Sequence, residues 1–126
     1  MYTVLVIDDD KTLRQLVIQS LEILDLEILE AEDSQRGLLI LDRFGGAIDL
    51  ILLDVVMPGM DGIEFLKRIK ANRRYKEIPV IMLTVASDRL RMIEAIRSGA
   101  RHYLTKPFNT EDLLTRVIQV LGLERI

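Results

Sequence analysis

Short apolar runs alternate with longer amphipathic stretches along the chain. Continuous apolar runs occupy Val4–Ile7, Leu50–Leu53 and Val80–Leu83. Such runs are typical of strands that are buried on both faces of a parallel sheet. Glu27–Ala31 alternates charged and aliphatic residues and predicts an edge strand, and Tyr103–Thr105 predicts a shorter fifth strand.

Helical patterns fill the intervals between the predicted strands. The first helix is predicted by an apolar stripe at helical spacing, which comprises Leu13, Leu16, Val17, Leu21 and Leu24. Ser34 is expected to be the N-cap of a second helix that ends near Gly45. Asn109 with Asp112 resembles a capping box and predicts the start of the fifth helix.

The third and fourth helices are bounded by turn residues. The third is expected to follow the Asp61–Gly62 turn and to end before Pro79, and the fourth to run from near Ser87 to Gly99, a C′ glycine.

Five strands and five helices in strict alternation predict an α/β fold with a doubly wound, five-stranded parallel sheet. We expect one domain over residues 1–126.

Polar residues stand at the carboxyl ends of the predicted buried strands. The first predicted strand is followed by Asp8 and Asp9, and the third by Asp54. The fourth predicted strand is followed by Thr84, and the fifth by Lys106. Right-handed crossovers bring these ends to one edge of an open sheet, where ligands bind in such folds. We therefore expect carboxylates, a hydroxyl and an ammonium group to converge there.

The chemistry of this cluster is constrained by charge. Adjacent carboxylates repel one another, so one of them takes up a proton unless a cation is bound. Carboxylate oxygens with water are the ligands that Mg²⁺ prefers, and Mg²⁺ usually keeps positions open for a phosphate. Lys106 and Thr84 are suited to phosphoryl oxygens. Asp54 then has the surroundings of an aspartyl-phosphate nucleophile.

Composition excludes several other classes of protein. The 17 basic and 20 acidic residues give a net charge of −3, which argues against a general nucleic-acid binder. The absence of cysteine excludes disulfides and thiol chemistry. No apolar run approaches the roughly 20 residues of a membrane span. No basic segment precedes an apolar one at the N-terminus, so we expect no signal peptide, no membrane contact and a cytoplasmic location.

Four fragments of the sequence together resemble a known family. They are "VLVIDDD", "DLILLDVVMPGMDG", "IPVIMLT" and "GARHYLTKPF", in this order. With these fragments the chain resembles, over essentially its whole length, a receiver domain of bacterial two-component response regulators. The resemblance implies a flavodoxin-like sheet with strand order 2-1-3-4-5.

The resemblance also implies roles for the acidic residues. Asp54 would be the phosphoacceptor, and Asp8, Asp9 and Asp54 would hold Mg²⁺ together with the backbone carbonyl of Val56. Asp10 extends the usual acidic pair to three residues. We expect Asp10 to face solvent or to cap the first helix, not to bind metal.

Further roles concern phosphate binding and switching. Thr84 and Lys106 would bind the phosphoryl group, and Tyr103 would be a switch aromatic that turns inward as Thr84 moves toward the phosphate. The Lys106–Pro107 bond is cis in the family. Val85 stands where the family usually has alanine or another small residue, so its bulk is expected to restrict the loop or the inward path of Tyr103.

The resemblance implies partners rather than a substrate. A histidine kinase or a histidine phosphotransfer protein would donate the phosphoryl group, and the domain would catalyse only its own phosphorylation and dephosphorylation. A downstream protein or output domain would bind a face that includes Arg89, Arg97, Arg101 and Tyr103. A phosphorylation-dependent homodimer is compatible with such a face.

Two alternative functions stay open at this point. Asp8-x-Asp10-x-Thr12 after an apolar strand also resembles the opening motif of haloacid-dehalogenase-type phosphotransferases, in which Asp8 would be the nucleophile. These enzymes need a later acidic metal motif, and "PFNTEDLLTRV" reads instead as a capped helix. The second alternative is a phosphorylation-independent interaction domain on a receiver scaffold, for which the bulky Val85 is the one indication.

Two expectations concern turnover and chain extent. Val56 and Ala86 stand two residues beyond Asp54 and Thr84, flanking the path of a hydrolytic water. Neither side chain can orient a water, so we expect slow loss of phosphate. The sequence contains no output domain after the fifth helix, and both a stand-alone receiver and a piece of a larger protein remain open.

Overall fold

A computed structural model of the chain describes residues 1–85 and 87–123. Strands and helices alternate through these residues. The elements are β1 (Tyr2–Ile7), α1 (Lys11–Leu21), β2 (Leu26–Ala31), α2 (Ser34–Phe44), a 3₁₀ turn (Gly45–Ala47), β3 (Leu50–Asp54), α3 (Gly62–Lys70), β4 (Val80–Val85), α4 (Arg89–Arg97), β5 (His102–Lys106) and α5 (Thr110–Leu121).

The five strands form one parallel sheet in the order β2-β1-β3-β4-β5, which confirms the expected topology. Ile7 lies opposite Leu53, and Val85 lies opposite Lys106. The carboxyl ends of the central strands therefore stop at nearly the same level. This register brings the polar residues that follow each apolar run to one edge of the sheet.

Helices cover both faces of the sheet over two separate apolar cores. Because side chains alternate along a strand, Leu5 and Ile7 enter one core while Val4 and Val6 enter the other. Buried residues of α2, α3 and α4 close the first core, and buried residues of α1 and α5 close the second. The sheet is doubly wound, as the sequence predicts.

Two details of the first two helices differ from expectation. Leu16 is exposed, because the buried stripe of α1 runs through Arg14, Val17 and Leu21. The N-cap of α2 is Asp33, whose carboxylate accepts a hydrogen bond from the Arg36 amide, so the assignment to Ser34 is wrong. Ser34 is instead buried in the first turn, and its hydroxyl donates to the Met60 carbonyl at 2.7 Å.

The later helices follow their sequence signals more closely. The third helix ends at Lys70, well before Pro79. The N-cap of α4 is Asp88, and Gly99 follows the helix with a φ of 108°, as a C′ glycine does. Asn109 caps α5 by accepting from the Asp112 amide. Within the described residues, no helix is long and apolar enough to cross a membrane.

Candidate functional site

The sequence-predicted polar residues do converge at the carboxyl edge of the sheet. Asp8 follows β1, Asp54 ends β3, Thr84 lies near the end of β4 and Lys106 ends β5. They border a cavity of about 280 Å³, whose lining comprises Asp8, Asp9, Asp10, Asp54, Val55, Val56, Thr84, Val85 and Lys106. Residues more than 90 positions apart along the chain thus share one small site.

Lys106 bridges the two buried carboxylates of this cavity. Its Nζ atom donates to Oδ1 of Asp54 at 2.9 Å and to Oδ2 of Asp8 at 3.2 Å. Asp8 and Asp54 are only 1% and 5% exposed, so water does little to screen their charges. In this structure the positive group that meets the aspartates is therefore the Lys106 ammonium.

One ammonium does not fully compensate the acidic cluster. Burial, together with the negative charges of Asp8 and Asp9, raises the pKa of Asp54 from 3.8 to about 6, although the hydrogen bond and charge of Lys106 lower it. Burial lowers the pKa of Lys106, but its hydrogen bond and charge interactions with Asp54 and Asp8 outweigh burial and raise that pKa. The site is short of positive charge and is suited to a further cation.

The donor atoms fit a hard divalent cation. Ligand oxygens of Asp8, Asp9 and Asp54 all lie within 4.8 Å of one another. Asp9 is exposed, so the cluster is open to solvent on one side. An all-oxygen set that leaves room for water and phosphate is typical of Mg²⁺. Val56 lines the same cavity, and the role of its carbonyl as a ligand stays a prediction.

Asp10 has a structural task at this edge. Its Oδ1 atom accepts from the amides of Thr12 at 3.0 Å and Leu13 at 3.2 Å, and so it caps α1. This agrees with the expectation that Asp10 caps the helix. Its amide in turn donates to Oδ1 of Asp8 at 2.9 Å, which helps to fix the buried carboxylate.

Gly62 allows the start of α3 to approach the candidate phosphoacceptor. Its amide donates to the Val55 carbonyl at 2.8 Å, and a Cβ atom at Gly62 would overlap the Asp54 carbonyl oxygen. From the sequence, Gly62 is predicted only to be a turn residue before α3. The close approach depends on how α3 packs behind β3, which the local sequence does not reveal.

The two predicted switch residues differ in solvent exposure, since Thr84 is buried and Tyr103 is exposed. Thr84 is 3% exposed, and its hydroxyl makes a long contact of 3.5 Å with the Val85 carbonyl. Tyr103 is 39% exposed and points toward α4, where it lines a cavity of about 370 Å³ with Arg89 and Arg97. Arg101 does not line this cavity and lies immediately before β5.

Two valines flank the mouth of the acidic cavity. Val56 is 60% exposed and Val85 is 47% exposed, and both line the cavity. Their apolar side chains border the route from solvent to Asp54. Ala86, the second residue of the water-access argument, lies outside the described residues.

Sequence reasoning missed Arg14, which is buried behind the site. Its Nη1 atom donates to the Asp8 carbonyl at 2.6 Å, and its Nε atom pairs with Oε1 of Glu30 at 3.0 Å. The sequence contained one signal that could have identified Arg14: its position on the same helical stripe as the apolar Val17 and Leu21, which are buried. A charged residue on a buried stripe needs a polar partner.

The family comparison agrees with this geometry. A model of the response regulator receiver domain matches residues 4–118. The chain belongs to the response regulator receiver domain family. Receiver domains are phosphoacceptor switches of two-component systems rather than conventional enzymes, and they act between histidine kinases and output domains. Neither the phosphotransferase alternative nor the phosphorylation-independent alternative is favoured.

Curated relatives place this receiver domain among several response regulators. It is 39% identical over 120 residues to the phosphate regulon transcriptional regulatory protein PhoB of Pseudomonas aeruginosa, covering 94% of this chain and 51% of PhoB. It is 34% identical over 119 residues to the chemotaxis protein CheY1 of Helicobacter pylori, covering 94% of this chain and 95% of CheY1. The chain spans about half the length of PhoB and of similar curated regulators.

Solved structures confirm the fold of this receiver domain. The chemotaxis response regulator CheY4 of Vibrio cholerae superposes with a TM-score of 0.87 at 36% identity, covering 96% of this chain and 99% of CheY4. A probable two-component response regulator with a GGDEF domain gives a TM-score of 0.91 at 30% identity, covering 97% of this chain and 50% of that one. The flavodoxin-like assignment is therefore correct.

Proposed function

We propose that Asp54 is the phosphoacceptor of a single receiver domain that spans residues 1–126, and that a histidine kinase or a histidine phosphotransfer protein is the donor. The observation that carries this proposal is the contact of Lys106 with the buried carboxylates of Asp54 and Asp8, in a cluster that the exposed Asp9 opens to solvent. The raised pKa of Asp54 supports a site built for an additional cation.

Each residue of the site has a separate task in the transfer. A carboxylate oxygen of Asp54 forms the new P–O bond, the P–N bond of the donor phosphohistidine breaks, and the histidine nitrogen leaves with the electron pair. The Lys106 ammonium pairs with one phosphoryl oxygen, and the Thr84 hydroxyl donates to another. These groups neutralise charge on the oxygens of the transferred group.

The metal would be held by Asp8, Asp9 and Asp54 with the Val56 carbonyl. When bound, Mg²⁺ neutralises phosphoryl and carboxylate charge in a site that holds only one other cationic group in contact with Asp54 among the residues described. Burial of Asp8 and Asp54 keeps the negative charge concentrated, so the residues favour a divalent ion.

Phosphorylation would be transmitted through Thr84 and Tyr103. Movement of Thr84 toward the phosphoryl group frees space, and the exposed Tyr103 ring turns inward from the cavity beside α4. The changed face, with Arg89 and Arg97, would then bind a downstream protein, an output domain or a second copy of the chain. Arg101, immediately before β5, would also contribute to this face. The domain would act in the cytoplasm without contacting nucleic acid itself.

Labelling with a small phosphodonor tests the assignment of Asp54. We expect Asp54→Asn to abolish labelling by radioactive acetyl phosphate in the presence of Mg²⁺, because an amide is a poor nucleophile. Asp8→Asn should slow labelling through the metal, and Asp10→Asn is the matched control, since asparagine also caps a helix well. If Asp54→Asn is labelled at the normal rate and Asp8→Asn is not labelled, Asp8 is the nucleophile and the proposal is wrong.

A further inference from the structure

The buried guanidinium of Arg14 lies directly behind the acidic cluster. Arg14 belongs to α1, and it is 9% exposed although it carries a full charge. None of the tasks assigned above to Asp54, Thr84 or Lys106 involves it. A buried arginine is costly unless each of its polar contacts is well made, so its contacts indicate what it does.

The contacts of Arg14 join three elements. Its Nη1 atom donates to the carbonyl oxygen of Asp8 at 2.6 Å, just after β1. Its Nε atom pairs with Oε1 of Glu30 on the neighbouring strand β2 at 3.0 Å. Its own amide donates to the carbonyl of Asp10 at 2.9 Å, which starts α1. The rigid guanidinium therefore spans from the edge strand to the acidic loop.

The position of the first contact is informative. The carbonyl of Asp8 belongs to the peptide that links Asp8 to Asp9. A peptide is planar, so a hydrogen bond that fixes its carbonyl also fixes the direction in which the chain enters Asp9. Asp9 is exposed and is not held by core packing, whereas Asp8 is held by Lys106 and by the Asp10 amide.

We propose that Arg14, braced by Glu30, is a positioning residue that orients the Asp8–Asp9 peptide and thereby sets the affinity of the acidic cluster for Mg²⁺. This inference rests on the proposed metal site and adds a residue outside the acidic cluster that sets the affinity of the cluster for Mg²⁺. Partners of this kind, which touch a ligand residue and not the metal, typically change metal affinity by about 10–100-fold when they are removed.

The test is a titration of the whole chain with Mg²⁺ alone, followed by amide NMR shifts at Asp8, Asp9 and Asp54. We expect Arg14→Met to weaken Mg²⁺ binding by about tenfold and Arg14→Lys by less, since lysine can reach one acceptor but cannot bridge two. Glu30→Gln keeps an acceptor oxygen for Arg14 and should therefore bind Mg²⁺ more tightly than Arg14→Met. Arg36→Met, at an exposed arginine of α2, is the matched control and should bind like the wild type.

A second measurement separates positioning from simple loss of stability. Urea unfolding gives the stability of each variant, and the NMR titration reports only on folded molecules. If Arg14→Met is destabilised but its folded form binds Mg²⁺ with wild-type affinity, the arginine is merely structural and the inference is overturned. If the wild type itself shows no Mg²⁺ shifts at the three aspartates, the proposed metal site is wrong and the inference falls with it.

NMR spectra without metal test the hydrogen bond from Arg14 to the Asp8–Asp9 peptide directly. In EDTA, Arg14→Met should shift the carbonyl ¹³C resonance of Asp8 and the amide resonance of Asp9, because the hydrogen bond to the connecting peptide is lost. Arg36→Met should leave both resonances in place. Unchanged resonances in Arg14→Met would contradict the orienting role, whatever the Mg²⁺ titration gives.

Discussion

Lys106 Nζ lies 2.9 Å from Oδ1 of Asp54 and is the positive partner of that buried carboxylate. The ion pair links the end of β5 to the end of β3, the two strands that flank β4. It lowers the pKa of Asp54 against the effect of burial and of the neighbouring aspartates. The pair therefore sets how much of Asp54 is ionised before any metal or phosphate arrives.

Removal of Lys106 should make Asp54 harder to ionise. In metal-free buffer the Asp54 carboxyl is expected to titrate with a pKa of about 6. Lys106→Met should raise that pKa, because the hydrogen bond and the positive charge of Lys106, which both lower it, are lost. The carboxyl ¹³C shift of Asp54 followed against pH measures this. Arg97→Met, which removes an exposed cation from α4, is the control and should leave the titration in place.

Asp54→Asn should stabilise the metal-free protein, and the gain should depend on pH. The folded-state pKa of about 6 lies above the ordinary value of 3.8 for an aspartate, so the folded form binds the proton more tightly. Stability from this group is therefore full below pH 3.8 and is lost as the pH rises through 6. At pH 8 the substitution should recover at most about 3 kcal/mol, since each pKa unit corresponds to about 1.4 kcal/mol.

Urea unfolding in EDTA at pH 8 and at pH 5 measures this gain. The stabilisation by Asp54→Asn should be larger at pH 8, where the wild-type carboxylate is charged. Asp10→Asn serves as the control because its carboxylate caps a helix at an exposed position. An Asp54→Asn variant that is less stable than the wild type at pH 8 would show that the contact with Lys106 outweighs the cost of burial.

Gly62→Ala should disturb both stability and phosphorylation. The added Cβ atom would overlap the Asp54 carbonyl oxygen, so α3 must move away from β3. Overpacking of this kind costs about 1–3 kcal/mol. Gly46→Ala is the matched control, since nothing lies within 4 Å of its added methyl group. Equal stability and equal acetyl phosphate labelling of the two variants would contradict the close approach.

Activation should change the face that carries Tyr103. Beryllofluoride, a stable phosphoryl mimic, is expected to alter amide hydrogen exchange in α4 and β5 as well as around Asp54. Thr84→Ala should confine the changes to the acidic cavity, because the hydroxyl that would follow the phosphoryl group is gone. Changes restricted to that cavity in the wild type would refute transmission through Tyr103.

Loss of phosphate from Asp54 should be slow compared with fast chemotaxis receivers. Val56 is 60% exposed and lines the cavity, where we expect its apolar side chain to obstruct an approaching water without orienting it. We expect Val56→Asn combined with Ala86→Glu to speed dephosphorylation roughly tenfold, about 1.4 kcal/mol of barrier. The decay of labelled protein after donor removal measures the rate. Wild-type decay within seconds, or an unchanged rate in the double variant, would rule out the water-access argument.

Much of the fold could be predicted because apolar periodicity reports burial one element at a time. The continuous runs at Val4–Ile7 and Leu50–Leu53 predicted central strands, and the alternation at Glu27–Ala31 predicted the edge strand β2. Parallel strands joined by right-handed crossovers leave few topologies, so the residue after each run could be assigned to one edge. The convergence of Asp8, Asp54 and Lys106 follows from that rule.

The sequence by itself determined which elements form and which polar residues follow the central strands, because these depend on local pattern and chain direction, while the strand order 2-1-3-4-5 was implied by the family resemblance. Only the tertiary structure decided the burial of Arg14 against Asp8, the outward position of Tyr103 and the raised pKa of Asp54. Each of these depends on the distance and orientation of groups from different elements. The helical stripe places Arg14 on the buried face of α1, but its contact with Asp8 and the other two relationships arise only when the helices pack on the sheet.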